Sequence, residues 1–197
     1  TINNGDTFNT RGYHVDIATF ITDNGTLNCT DNRSGHGTEI TLGTDWTVAP
    51  TAIFTSANAT TTFDHAANST LNSGGTDANH DFNNLGFAKT SRATTTVAGY
   101  DAKASGNITI GANSVWDVSS ANYKLNIGGY WQNSGSFVAQ AATTTFDATT
   151  IGKTISPGNS AFYNLEFNGV GGGWLFSANA TTSNNLTITN GQATSTT

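Results

Sequence analysis

The sequence predicts an all-β protein wound as a parallel β-helix, a solenoid of short stacked strands. Three observations carry this expectation. First, the chain copies itself: ATTTFD stands at 59–64 and again at 142–147, and Phe82, Leu85 and Phe87 of FNNLGF answer Phe162, Leu165 and Phe167 of FYNLEF. Second, the spacing between copies drifts. Tyr13 and Tyr123 are 110 residues apart, as are Gly25 and Gly135; Phe54 and Phe137 are 83 apart, and Leu85 and Leu165 are 80 apart. The first copy therefore carries 27 extra residues between Leu27 and Phe54, with the pattern intact on both sides. In a solenoid each coil touches only its neighbours, so a whole coil is inserted without harm. In a closed sandwich the same insertion would break the pairing order. Third, short apolar–polar alternations recur about every 8–12 residues between Gly, Asn and Asp breakers, and no run shows helical spacing. The preference of parallel crossovers makes the expected helix right-handed. The chain is read as one domain, 1–197, with internal copies at about 1–105 and 106–197. The alternative is two β-sandwich domains, one per copy.

Composition narrows the function. Charged residues make up 10% of the 197, and the net charge is −6. Phosphate binding needs clustered Lys and Arg, so nucleic acid is not an expected partner, nor is an anionic membrane surface. No apolar run approaches the roughly 20 residues of a membrane-spanning helix, so no membrane insertion is expected. Cys29 is the single cysteine, which excludes an internal disulfide. A chain of this length can bury enough apolar surface to be stable without one. Low charge with abundant hydroxyls and amides suits an extracellular or cell-surface protein. A chain that begins at Thr1 and contains no Met reads as a processed product or a piece of something longer.

Taken in order, Tyr13, Val15 and Ile17 alternate with polar residues and predict a strand with one buried face; Leu27 and Cys29 continue it past Asn24-Gly25. Ile40 and Leu42, then Trp46 and Val48, give two short strands. The polar stretch from Asp64 to Asp81 reads as a protruding loop with one strand near Leu71. Lys89 to Lys103 is poorly patterned, with a weak strand at Thr94–Val97. Ile108 and Ile110, then Trp116 and Val118, point inward. The last copy supplies strands near 136–139, 143–146, 153–155, 164–167, 174–176 and 185–188. Three such strands would make a coil of roughly 20–30 residues. Gly169 and Gly171–Gly173 precede Trp174; their spacing does not fit a phosphate-binding loop, and a tight corner is expected there.

The phrases NYKLNIGGYWQNSGSF, TTTFDATTIGKTI, FYNLEFNG and NNLTITNG resemble the repeats of long secreted β-solenoid surface proteins of bacteria, similar in layout to filamentous adhesins. The likeness covers about 106–197 well and 1–87 loosely, and 88–105 departs from it. It rests on repeat texture, so it implies a right-handed parallel β-helix at the cell exterior and carries over no catalytic residues.

Sites are sparse. His65 and His80 with Asp64, Asp77 and Asp81 contain metal-ligating types, but their spacing matches no ligand motif, and a solvated loop is the expectation. His14 and His36 are isolated. The two Glu, Glu39 and Glu166, fall at outward strand positions, and no convergent acid–base pair or GxSxG nucleophile turn appears. No catalytic residue, metal or cofactor is expected. Of the four Trp, most are read as core. Tyr130 and Trp131 are the candidate glycan-stacking pair, because adjacent strand residues face opposite ways and one must point outward. The Thr-rich runs are too interrupted for a regular ice-binding array. Thr187–Gly191 resembles Thr1–Gly5, so the chain ends near the phase at which it begins. Ile2, Leu186 and Ile188 are therefore candidate self-assembly positions, where the last coil of one copy stacks on the first of the next. The expected function is a non-enzymatic structural fibre subunit. The alternatives are a carbohydrate-binding adhesin module and, less favoured, a polysaccharide-cleaving β-helix.

Overall fold

The structure, a computed structural model, describes residues 1–31 and 37–195. Every named strand pairs parallel to its neighbours, and no helix occurs among the described residues. The chain forms a parallel β-solenoid of about nine turns, each passing through up to three faces.

Face 1 carries β1 (Thr7–Asn9), β4 (Thr26–Asn28), β7 (Ile53–Thr55), β12 (Ala102–Ala104), β15 (Leu125–Ile127) and β18 (Thr143–Phe146). Face 2 carries β2 (Val15–Ile17), β5 (Glu39–Leu42), β8 (Thr60–Phe63), β10 (Asn84–Phe87), β13 (Ile108–Ile110), β16 (Trp131–Asn133) and β19 (Lys153–Ser156). Face 3 carries β3 (Phe20–Thr22), β6 (Trp46–Val48), β9 (Ser69–Asn72), β11 (Ala93–Val97), β14 (Ser114–Asp117) and β17 (Ser136–Val138). The last two strands, β20 (Asn164–Phe176) and β21 (Leu186–Ser195), run through the corner, so each belongs to face 1 and then to face 2. That continuity joins β12, β15 and β18 of face 1 to the strands of face 2 in one 12-stranded sheet, while β1, β4 and β7 form a separate three-stranded sheet.

The strands are short because each run of Thr, Ile, Val or aromatic residues is cut by Gly, Asn or Asp at a corner. Within them the period of two sets the phase: Ile40, Leu42, Trp46, Val48, Ile108, Ile110, Trp116 and Val118 are all buried, as the alternation predicts. The inward residues form one continuous core. Aromatic rings stack through it: Phe20 lies 4.3 Å from Trp46, Trp131 lies 4.9 Å from Phe137, and Phe167 lies 5.0 Å from Trp174.

The inserted coil is where the spacing places it. Leu27 pairs with Phe54, so the 27 extra residues are one turn. Coils range from 19 residues, Phe8 to Leu27, up to those 27. The repeated module also keeps its register. Thr61 pairs with Leu85 and Phe63 with Phe87 in the first copy, as Thr144 pairs with Leu165 and Phe146 with Phe167 in the second. Yet the first module lies on face 2 and the second on face 1. The copies are rotated by one face, because a strand pair needs only a matching strand beneath it and any face of the prism supplies one.

Other expectations need correction. The stretch 64–81 is not a protruding loop: β9 belongs to face 3, and Ser73, His80 and Asp81 are buried. Residues 79–82 continue face 1 between β7 and β12, since the Phe54 N–H donates to the Asn79 carbonyl (2.8 Å) and the Phe82 N–H to the Lys103 carbonyl (2.9 Å). Tyr13 lies before β2 and is 62% exposed. The stretch 88–105 holds β11 and β12. Three strands, β1, β3 and β12, had no counterpart in the sequence reading: none of them sets two large apolar residues two positions apart, as Trp46 and Val48 or Ile108 and Ile110 do.

Candidate functional site

Two kinds of surface stand out, the ends of the solenoid and face 2. At the final coil Leu186 is 61% exposed directly above Leu165 at 2%, and Ile188 is 53% exposed above Phe167 at 0%. These side chains occupy inward positions with no coil stacked over them. At the first coil Phe8 is 44% exposed beneath Leu27 at 1%. Ile2, bridged to Thr22, is partly buried and packs on the core. Ile2, Phe8, Val15, Ile17 and Ile21 line an open apolar hollow of about 400 Å³ there. The outer edges of β1, β2 and β21 have no strand partner among the described residues, and that of β3 meets only the Ile2 bridge.

Face 2 presents two outward rows. One runs Glu39, Thr60, Asn84, Asn107, Tyr130; the other runs Asp16, Thr41, Thr62, Gly86, Thr109, Gln132. Of the stacking pair, Tyr130 is 45% exposed while Trp131 is buried in the core against Phe137 and Phe162. Trp131 therefore cannot present its ring to a sugar: β16 turns it inward, next to Ile108. Gly86 and Gln132 interrupt the Thr row, as the sequence indicates.

The structure also brings together residues that the sequence separates. Lys103 pairs with Asp81 at 2.7 Å, and that contact holds the ammonium pKa above its ordinary value. Burial pushes the nearby Asp147 carboxyl up, while Lys103 partly offsets the shift. Asp81 is committed to its counter-ion and is no free base, so the trio is an ion pair with a third, desolvated carboxylate. His14 is not isolated. Its Nδ1 lies 3.3 Å from Glu39 and its Nε2 lies 3.3 Å from the Thr41 hydroxyl. All three belong to an outward face, and His14 and Glu39 are more than half exposed. His80 is buried with its Nδ1 2.8 Å from Asp77, far from the solvated-loop environment expected. His65 is exposed beside Asp64, and His36 lies outside the described residues. No group of three or more His, Cys, Asp or Glu side chains placed to hold a metal ion occurs among the described residues.

Lys89 is an internal cation missed by the sequence reading. Its ammonium donates to the Ala67 carbonyl (3.1 Å) and the Ser69 hydroxyl (2.9 Å) and sits 5.6 Å from the Phe63 ring, and burial lowers its pKa.

Fold and surfaces together define a parallel β-solenoid with apolar side chains open at both ends. No family model matches the chain, no curated protein is similar to it, and no solved structure matches it.

Proposed function

We propose that the chain is a non-enzymatic structural segment of an extracellular fibre, of the kind the repeat texture of bacterial surface solenoids suggests, and that its coils stack end to end with those of a second copy. The observation that carries this reading is the pair of exposed apolar ends, with Leu186 and Ile188 at one and Phe8 at the other. Unpaired parallel edges and exposed inward residues are costly in water and are relieved together by another coil. Head-to-tail contact of this kind is heterologous and propagates into an open filament. The low charge and hydroxyl-rich surface support an extracellular setting.

Negative-stain electron microscopy over a concentration series tests the reading. Long fibres of uniform width are expected, and separate short rods at every concentration would reject self-stacking. Ile188→Asp places a carboxylate on an exposed inward position of the last coil and is expected to abolish fibres while leaving the circular dichroism spectrum unchanged. Fibres formed by that variant would contradict stacking through this end.

A further inference from the structure

We infer that face 2 carries a binding site for an uncharged polysaccharide, with Tyr130 as its stacking platform and a notch over Gly86 as the adjoining subsite. From β8 to β16 the two outward rows read Thr60, Asn84, Asn107, Tyr130 and Thr62, Gly86, Thr109, Gln132. None of these side chains is charged, although charged residues begin again at Glu39 and Asp16 on the coils before. Hydroxyls and amides arrayed around one exposed aromatic ring match a neutral, hydroxyl-rich ligand, and the neighbouring Lys153 ammonium is engaged with the Tyr130 ring.

The notch is a hollow of about 340 Å³ lined by Thr60, Thr62, Asn84, Gly86, Asn107 and Thr109 among others. It exists because position 86 has no side chain. The fold does not demand this. In the second copy of the module, in the same register, Glu166 occupies the matching position and accepts a hydrogen bond from Thr145 at 3.1 Å. Glycine within a strand weakens it and marks a place where something approaches closely. A ladder of asparagines then fixes Tyr130 beside the notch. The Asn107 N–H donates to Asn84 Oδ1 (2.9 Å), and the Tyr130 N–H donates to Asn107 Oδ1 (3.0 Å). The ammonium of Lys153 sits 5.7 Å from the Tyr130 ring and buttresses it from the next coil. Tyr130 thus stands on the coil after Asn107 and Thr109 of the notch lining and two coils, about 10 Å, along the axis from Gly86, a span that one chain of sugars covers.

Affinity gel electrophoresis with a soluble β-glucan, a galactomannan and dextran, and with polygalacturonate as the charged comparator, tests the site. At least one uncharged polymer is expected to retard the protein. Tyr130→Ala should weaken that binding about tenfold, while Tyr130→Phe keeps it. Gly86→Glu, which copies the second module, should abolish it by filling the notch. If Gly86→Glu loses the β-sheet spectrum, Thr109→Arg fills the notch from an exposed position instead. Retardation by none of the uncharged polymers, or by polygalacturonate alone, overturns the proposal. So does parental binding by folded Tyr130→Ala or by the folded notch-filling variant. Neither position lies at an end of the rod, so fibre images of the same variants report on stacking separately.

Discussion

Trp46, Trp116, Trp131 and Trp174 are all shut inside the column, and none of their indole N–H groups finds an acceptor among the described residues. Each such group costs about 1–3 kcal/mol, whereas burying an aromatic side chain of this size returns about 4–6 kcal/mol. Burial wins, which is why the inward phase of Trp46 and Trp116 was readable from alternation; that of Trp131 was not, because Tyr130 beside it was an equal candidate for the inward position. Burial also pushes the Cys29 thiol up to about 11, so it is held neutral as a small core residue. Ionic partners were not readable. Asp81, Lys103 and Asp147 come together only because four coils stack, and the intervals between them depend on corner lengths. The desolvated Asp147 yields a pH-dependent prediction. Its carboxyl is raised in the fold, so the proton is bound more tightly there than in the unfolded chain. The charged form therefore costs stability at neutral pH, and the cost vanishes in acid, where both states are protonated. Asp147→Asn is expected to raise Tm at pH 7, with the gain shrinking toward zero as thermal melts approach about pH 3. A lower Tm at pH 7, or a gap that widens in acid, would refute this account.

At the scale of elements, the corner in β20 shows how a strand turns without ending. Asn168–Gly173 shifts the β20–β21 register twice, and Gly171 takes a φ of +78°. A Cβ on Gly169 would overlap the Ala148 carbonyl of the coil below, where no flexible side chain can yield. The glycine run announced a tight corner. It did not announce that pairing with β21 resumes beyond it, because pairing depends on the next coil. Gly169→Ala is expected to cost about 2 kcal/mol or more in urea unfolding. Gly152→Ala provides the contrast: φ is +84° but nothing lies within 4 Å, so only conformational strain remains, about 1 kcal/mol. Equal losses for the two variants would show that the carbonyl contact is unimportant. Strands β1, β3 and β12 stayed hidden for a related reason. Ala102–Ala104 has no pair of large apolar residues to mark an inward face, and only the neighbouring coils define it.

The whole molecule is modular along its axis, and that modularity can be tested. Because Leu27 and Phe54 are register partners, a chain lacking residues 28–54 presents Leu27 where Phe54 stood and rejoins the path at Thr55. It is expected to fold cooperatively with an unchanged β spectrum and, by small-angle scattering, to be shorter by one coil, about 4.8 Å. Loss of cooperative unfolding would show that this coil is not an independent unit. The rotation of the second copy by one face belongs to this scale too. It leaves Gly86 on face 2 and Glu166 on face 1, so a notch and a carboxylate that share a register look out in different directions. By itself the sequence determined the all-β class, the inward phase of the longer strands and the coil-sized insertion, because alternation and repeat spacing are written in neighbouring residues. Only the tertiary structure decided which face each strand occupies, which polar groups meet, and that His80 and Lys89 lie inside. Those outcomes depend on the summed lengths of successive corners, which shift the phase of every later coil and leave no local mark in the chain.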